Sequence, residues 1–421
     1  MEELDKYCIS NAPKYPLMEL LEFIVDNRGK TVPTSDTGIA LIATNCIRNE
    51  CLYPKYEKIR YVSDEIYRTW FRSHPQPGDI IFVNKGTPGR TALVPDPVDF
   101  CIAQDMMAFR VKKDVVYNKY LLAVLRSRDI QQFIFNSQVG TIIPHFKKEQ
   151  LKSLLIPLPK MDVQKRIGDF YFSFSEKEEL NRRINENLEA QAQTLFKSWF
   201  VDFEPFKDGE FVESEMGMIP KGWSIQKAQD VFEMNIGKTP PRKEKEWFTE
   251  STDDIIWVSI ADMGSCGVFI SDSSEYLTIE AIRKYNILMV EKDSVLLSFK
   301  LTIGRVAIAD TKLTTNEAIA RFILPDKSYR EFLYLYLKRY EYGSLGSTSS
   351  IATAVNSKTI KGMKLLMPDV DIIKEFSHKA RPLFEQIRIN QQESRRLAQL
   401  RDTLLPRLMS GELKVNEIEM H

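Results

Sequence analysis

The chain contains one pattern twice. Lys85-x-Thr87-x-Gly89-Arg90-x-Ala92 in the first half returns as Lys300-x-Thr302-x-Gly304-Arg305-x-Ala307 in the second. Gly29-Lys30-Thr31-Val32-Pro33 returns as Gly237-Lys238-Thr239-Pro240-Pro241. Each copy closes with a long heptad-patterned segment, near residues 162–200 and 372–409. The offset between copies drifts from 208 at Gly29/Gly237 to 215 at Arg90/Arg305 and 209 at Asn181/Asn390. Elements that keep their order while loops change length are the signature of an internal structural repeat. Such a chain folds into two similar surfaces, which suits a protein that reads two things at once.

The pattern divides the 421 residues into a first globule at 1–160, a spacer helix and linker at 161–210, a second globule at 211–370, and a second spacer helix with a C-terminal tail at 371–421. Within the globules, Asp79–Val83, Ser294–Phe299 and Ile255–Ile260 are short β-rich runs bounded by turn residues. Lys119–Arg126 and Glu331–Arg339 have helical spacing of apolar residues. Pro157 and Pro368 mark the ends of the globules, because proline halts strand pairing. The predicted class is α+β: two mixed domains separated by two long helices that pair as an antiparallel coiled coil, with an internal pseudo-twofold repeat.

The heptad track places Asn181, Ile184, Leu188 and Leu195 on the pairing face of the first helix, and Leu383, Ile387, Asn390, Leu397 and Leu404 on that of the second. Asn181 and Asn390 sit at matched mid-helix positions. If the helices run antiparallel the two meet at the centre, where a buried asparagine pair costs stability but penalises register slips. The other reading is that both face solvent.

The formal net charge is zero, which counts against a dedicated nucleic-acid binder. Its distribution is uneven: residues 1–160 hold 22 basic and 18 acidic side chains, whereas 161–215 hold 7 and 13. The acidic excess falls on the segment made of the first long helix and the linker after it, which suits protein contacts better than DNA. No apolar run reaches the length that spans a bilayer, and the N-terminus lacks the layout of a signal peptide. Five cysteines without a CxxC pair argue against a disulfide framework and fit a reducing cytoplasm.

The Gly-Lys-Thr triplets invite a phosphate-loop reading, but the glycine that loop needs five residues earlier is Ile24 in one copy and Phe232 in the other. As DNA contacts, Lys30, Thr31, Lys238 and Thr239 offer a cation and a hydroxyl on a flexible backbone. Arg242 and Lys243 extend the second triplet. The alternative is an ordinary solvated loop. In the other repeated motif a glycine suits a turn with positive φ. There Lys85, Thr87, Gly89 and Arg90, with Lys300, Thr302, Gly304 and Arg305, project from a hairpin. Arginine binds guanine bidentately in the major groove, while lysine and threonine hold phosphate. The bland account is a hairpin repeated because the fold repeats. The copies differ at Asn84 against Phe299 and at Pro88 against Ile303, which suits unlike targets. Asn45, Arg48 and the aligned pair Gln104 and Asn316 are further candidate readers, as are Ser259 and Asp262; turn-capping roles compete. No zinc spacing, methyl-donor glycine loop or Asn-Pro-Pro-aromatic run is present.

Three segments complete the picture: Gly217-Met-Ile-Pro-Lys-Gly-Trp223, Gln193-Thr-Leu-Phe-Lys-Ser-Trp-Phe200, and Leu400-Arg-Asp-Thr-Leu-Leu-Pro-Arg-Leu-Met-Ser-Gly-Glu-Leu413. With the order of domain and long helix repeated over the whole chain, they resemble the DNA specificity subunits of type I restriction–modification systems. The resemblance implies a non-catalytic, cytoplasmic phage-defence subunit with two target recognition domains, each reading half of a bipartite, asymmetric site in double-stranded DNA. It implies partners: two methyltransferase subunits docked on the helices, then restriction/translocase subunits. It implies no cofactor in this chain, with S-adenosylmethionine on the methyltransferase and ATP and Mg on the restriction partner. The rival readings are a recognition module of another restriction–methylation enzyme and a coiled-coil scaffold that binds only proteins.

Overall fold

The computed structural model describes residues 12–27, 29, 31–140, 143–345, 355–410, 412 and 413. Lys30 lies outside the described residues. The chain divides into two compact units, Met1–Asn181 with Glu393–His421, and Arg182–Gln392.

The first unit is built on a four-stranded antiparallel sheet in the order Leu21–Val25, Met106–Val111, Ile80–Val83, Thr91–Leu93. Every residue of Ile80–Val83 is buried, because the sheet is covered on both faces. Ile80 and Phe82 face the helices Asn118–Arg126 and Arg128–Ser137. Ile81 and Val83 face a second core shared with a three-stranded sheet, Arg60–Val62, Ile39–Ile42 and Phe100–Ile102. In that sheet Ile39–Ile42 runs parallel to Phe100–Ile102. Lys14–Pro16 pairs with Leu155–Pro157 just before the first long helix, so Pro157 is the last rung of an edge ladder. The cysteines at 46, 51, 101 and 266 are free, and burial pushes the Cys101 thiol up to about 12, leaving it a protonated packing group.

The second unit repeats this plan. Glu233–Ile236, Ile319–Ile323, Val295–Ser298 and Val306–Ala309 form the same antiparallel order, extended by Phe269–Ile270 parallel to the last strand. Ile255–Val258 runs parallel to Thr314–Thr315, and Ser224–Lys227 pairs with Lys364–Met367 ahead of the second long helix. The helix Tyr329–Arg339 stands where Asn118–Arg126 stands in the first unit. Trp223 is buried, with its ring 5.7 Å from that of Phe200, 5.5 Å from Phe203 and 5.2 Å from Phe206. The aromatic run that ends the first long helix is therefore core packing.

The long helices are Met161–Phe200 and Val370–Ser410. The unit boundary falls within each, so the helices are not segments apart from the globules at 1–160 and 211–370. Val163, Ile167 and Tyr171, with Leu405, are part of the first unit's core. Ala192, Phe196, Phe376, Phe384 and Ile387 are part of the second unit's core. Within the first unit Arg401 bonds Glu178 at 2.9 Å and Asn181 donates to Glu393 at 2.7 Å; within the second, Asn390 donates to Asn185 at 2.8 Å. The partner number falls as the other rises, so the pairing is antiparallel.

Two expectations about the helices need correction. Asn181 and Asn390 are both buried, which rules out the solvent-facing reading, but the ladder sets Asn181 against Ser394 and Asn390 against Asn185. The register is one helical turn away from the expected one. The strict heptad track also fails in places: Ile184 is exposed, while Phe384 and Leu405 are buried beside the half-buried Leu383 and Leu404. Leu188, Leu195 and Leu397 are half-buried, and Ile387 is fully buried. An α-helix turns every 3.6 residues, so a face that packs on a globular core drifts off a 3.5-residue seam.

Candidate nucleic-acid interface

Strand register gathers the repeated motifs. In the first unit Val83 lies opposite Met106 and Val25 opposite Ala108. The loops after Val25 and Val83 and the turn before Met106 therefore emerge at one end of the sheet. The parallel pair delivers residues 43–48 to the same end, since Ala103 N–H donates to the Ile42 carbonyl at 2.9 Å. The second unit matches: Ser298 lies opposite Ile319, Ile236 opposite Ala320, and Asn316 N–H donates to the Val258 carbonyl at 3.0 Å. Four separate sequence candidates thus share one end of each unit. Antiparallel order forces this, because a hairpin tip, the turn two strands away and the ends of neighbouring strands alternate between the two ends.

The repeated hairpin has one backbone in both copies. Gly89 N–H donates to the Val83 carbonyl and Gly304 N–H to the Ser298 carbonyl, each at 3.0 Å. Their φ angles are +93° and +88°, a region glycine enters without steric cost. Each also underlies a neighbour: a Cβ at Gly89 would meet Gln131 and Ile134, and one at Gly304 would meet the Tyr342 ring at 3.0 Å. Ala92 and Ala307 are fully buried. The shared glycine and alanine of this motif thus build the hairpin.

The side chains on that backbone behave differently. Arg90 is exposed, and its guanidinium has no hydrogen-bond or ion-pair partner among the described residues. Arg305 is half-buried and donates to the Ile260 carbonyl at 2.5 Å, under Gly264, where a Cβ would lie 2.6 Å from the guanidinium. The expectation that Arg305 projects for base readout is therefore corrected: a desolvated carbonyl holds it inward. Lys85 is exposed and forms a 3.7 Å ion pair with Asp105. Lys300 and Thr302 are exposed, and the Lys300 ammonium lies 5.8 Å from the Phe299 ring. Thr87 is half-buried, with its hydroxyl out of solvent.

The triplets diverge as well. Thr31 is exposed. In the second copy Gly237 is required by close approach, since a Cβ there would lie 2.0 Å from the Asn316 carbonyl oxygen. Lys238 donates to the carbonyls of Asn286 at 3.1 Å and Tyr285 at 3.3 Å, and Thr239 donates to Glu317. Arg242 chelates Glu275 at 2.8 and 2.9 Å and stacks 4.4 Å from Phe248 and 4.6 Å from Trp257. Lys238 and Arg242 are thus engaged within the unit, while Lys243 and Lys245 are exposed cations with no partner among the described residues.

Asn45 donates to the Glu57 carbonyl at 2.6 Å and Arg48 to the Glu57 carboxylate at 2.6 Å. Burial works to raise the Glu57 carboxyl, but Lys55 and Arg48 outweigh it and hold it below the usual range. Asn316 accepts from Ala318 N–H at 3.1 Å and shapes its turn; Gln104 is half-buried at the matching turn. Ser259 and Asp262 form a capping box on the short helix Ile260–Met263, so they serve the backbone. In the polar loops, Thr141 and residues 346–350 lie outside the described residues.

Sequence reasoning passed over the acids Glu57, Glu275 and Glu317, which occupy the candidate cations and hydroxyls. It also passed over Leu301, which stands where the first copy has Gly86. Aligning the two copies shows that pair directly.

Two copies of one α+β fold, each gathering polar loops of different composition at one sheet end, define a tandem recognition protein. Among the described residues no cluster of three His, Cys, Asp or Glu side chains could hold a metal, and no helix is long and apolar enough to cross a membrane. The chain belongs to the type I restriction modification DNA specificity family, whose profile matches residues 19–190 and again 220–399. It is similar to the HindI specificity subunit of Haemophilus influenzae, with 27% identity over 403 residues, covering 80% of this chain and 86% of that protein. It is also similar to the MjaIX specificity subunit of Methanocaldococcus jannaschii, with 28% identity over 355 residues, covering 81% and 79%. The fold is shared with the crystal structure of the type I system S subunit from M. genitalium, at a TM-score of 0.52 and 15% identity over 94% of this chain and 96% of that one. The chain is a DNA sequence-specificity subunit of a type I restriction–modification complex, which binds DNA and acts with other subunits of that system.

Proposed function

We propose that the two units read unlike halves of a bipartite, asymmetric site in double-stranded DNA. The observation that carries this reading is the matched hairpin: one backbone, with Gly86, Pro88 and an exposed Arg90 in one unit, and Leu301, Ile303 and an inward Arg305 in the other. Asn84 and Phe299 are both buried, so that difference between the copies, expected from the sequence to suit unlike targets, belongs to the packing under the hairpin. One scaffold bearing two sets of loop side chains suits two sequences. Arg90, Lys300, Lys243 and Thr31 are the first candidates for contact; Lys85, Gln104 and Thr302 share the sheet ends with them.

The long helices dock two methyltransferase subunits in this reading. Leu180 and Leu400 in the first unit, and Ile184 and Ile389 in the second, are exposed apolar residues on those helices, which suit protein contact. The exposure of Ile184 then follows from a partner's surface. Catalysis rests with the partners: S-adenosylmethionine and adenine methylation with the methyltransferase, ATP and Mg with the restriction subunits. The setting is the cytoplasm.

The test is a methylome. The chain is co-expressed with its methyltransferase subunit in a host lacking the system, and modified adenine is mapped. A split, asymmetric motif with a fixed gap is expected. Methylation no higher than with the methyltransferase alone, despite a stable complex, overturns the reading and favours a protein-only scaffold.

A further inference from the structure

The tip of the second hairpin carries a side chain that its own fold does not use. Leu301 is 101% exposed, the most exposed large hydrophobic among the described residues, and its φ is +58°. A left-handed backbone disfavours any residue with a Cβ, and glycine avoids that penalty. The first unit follows this rule: its residue at the same place is Gly86, with φ +85°. In the second unit the turn is fixed by Thr302 N–H donating to the Lys300 carbonyl at 2.6 Å and by the Ser298 hydroxyl donating to the Thr302 carbonyl at 2.6 Å. Leucine here is therefore unfavourable twice, in backbone conformation and in hydration, and no contact among the described residues offsets it.

Resting on the reading that the second unit contacts one half of the DNA site, we infer that Leu301 is a specificity-determining residue that recognises thymine through its C5-methyl group in the major groove. The major groove admits a two-stranded β-ribbon, and the thymine methyl is the apolar feature of its edge pattern. Exposed Lys300 and Thr302 flank the leucine and supply phosphate contacts of the kind that set register. A wedge between base pairs is the other use of an exposed leucine at DNA, but a wedge must be braced against the force of unstacking. A side chain with its full surface in solvent has no brace, whereas lateral contact with a methyl group needs none.

The test uses the complex of this chain with its methyltransferase subunit and a duplex carrying the motif that the methylome defines. Each thymine in the half-site assigned to the second unit is replaced in turn by uracil, which removes only the methyl group. For the native complex one such position is expected to weaken binding roughly fourfold, the equivalent of losing one buried CH2 contact. Leu301→Gly is expected to bind the thymine and uracil duplexes alike, to leave the other half-site's preference intact, and to unfold at no lower temperature than the native chain. Three results overturn the inference: no uracil position matters, Leu301→Gly keeps full discrimination, or the half-site contains no A·T pair. Loss of the methyltransferase from the Leu301→Gly complex with unchanged DNA preference also overturns it, by assigning the leucine to a protein contact. Failure of the native complex itself to bind its motif duplex removes the underlying reading instead.

Discussion

In the first unit Arg90 stands in solvent at the end of the hairpin; in the second, Arg305 turns inward and binds the Ile260 carbonyl at 2.5 Å. The letters are the same and the roles are not. What differs is the surroundings: the second unit places the short helix Ile260–Met263 and Gly264 within reach of the guanidinium. The tip residues differ in the opposite sense, with glycine in the first copy and an exposed leucine in the second. The glycine and alanine common to the copies thus mark what the hairpin needs, and the exposed tip residues that differ mark where the two units can prefer different DNA. The interiors diverge too. The second unit holds a network in which Arg330 bonds Asp293 at 2.6 Å and Glu385 at 2.7 Å and pairs with Glu331, while Arg388 reaches Asp293 at 2.5 Å. The first unit has a simpler pair, Arg110 chelating Asp79 at 3.1 and 2.9 Å.

The largest expected effect probes that interior contrast. Arg330→Met leaves Glu331, which is fully buried, with only the more distant Arg381 at 4.0 Å and the Ser377 hydroxyl at 3.0 Å, and should destabilise the second unit by about 3–5 kcal/mol. Denaturant unfolding followed by tryptophan emission checks this, because Trp199, Trp223, Trp247 and Trp257 belong to the second unit and Trp70 to the first. A cost under about 1 kcal/mol would show that the network contributes little beyond its own desolvation.

The hairpin contrast gives the next effect. Arg305→Ala should cost about 1.5–3 kcal/mol in stability, the range for a charge-assisted hydrogen bond to a shielded carbonyl. Arg90→Ala should change stability by no more than about 0.5 kcal/mol. It should instead lower the salt dependence of DNA binding by about one unit of slope if Arg90 meets a phosphate, or relax one base position if it reads a base. Equal stability costs at both positions would erase the distinction between the two arginines.

Acid gives the smallest effect and sharpens the same comparison. Burial works to raise the Asp293 carboxyl, but Arg330 and Arg388 outweigh it and hold it below the usual carboxylate range. A carboxyl depressed in the folded state contributes its stability in full above its unfolded value, and the contribution is lost as pH falls through the folded value. The second unit should therefore weaken below about pH 4, and Asp293→Asn should flatten that dependence while lowering stability at neutral pH. Stability measured across pH 2–7 by the four-tryptophan signal decides it. An unchanged acid limb in the variant would assign the acid sensitivity to other carboxylates.

Much of the fold was legible in advance because it follows from local pattern. The strands at Ile80–Val83, Val295–Ser298 and Ile255–Val258 and the helices Asn118–Arg126 and Tyr329–Arg339 fall where apolar runs and helical spacing put them. The long helices were legible from length alone. Their register was not: the buried asparagines pair one turn away from the expected match, because bulky Phe196, Phe376 and Phe384 on the same faces belong to a globular core and set the fit. The site was legible only as a set of candidates. Repetition located the hairpins and triplets but gave Arg90 and Arg305 equal standing, and Lys238 and Arg242 showed as free cations until Glu275 and the Tyr285 and Asn286 carbonyls were placed beside them.

The sequence by itself determined the duplication, the α+β class, the two long helices and the family, because each rests on spacing along the chain and spacing is what a sequence records. Tertiary structure alone decided which end of each sheet gathers the loops and which arginine is spent on a carbonyl. It alone decided which leucine stands in solvent with a left-handed backbone. Those outcomes depend on what residues far apart in the chain bring within a few ångströms, and on whether that contact satisfies a side chain before DNA arrives.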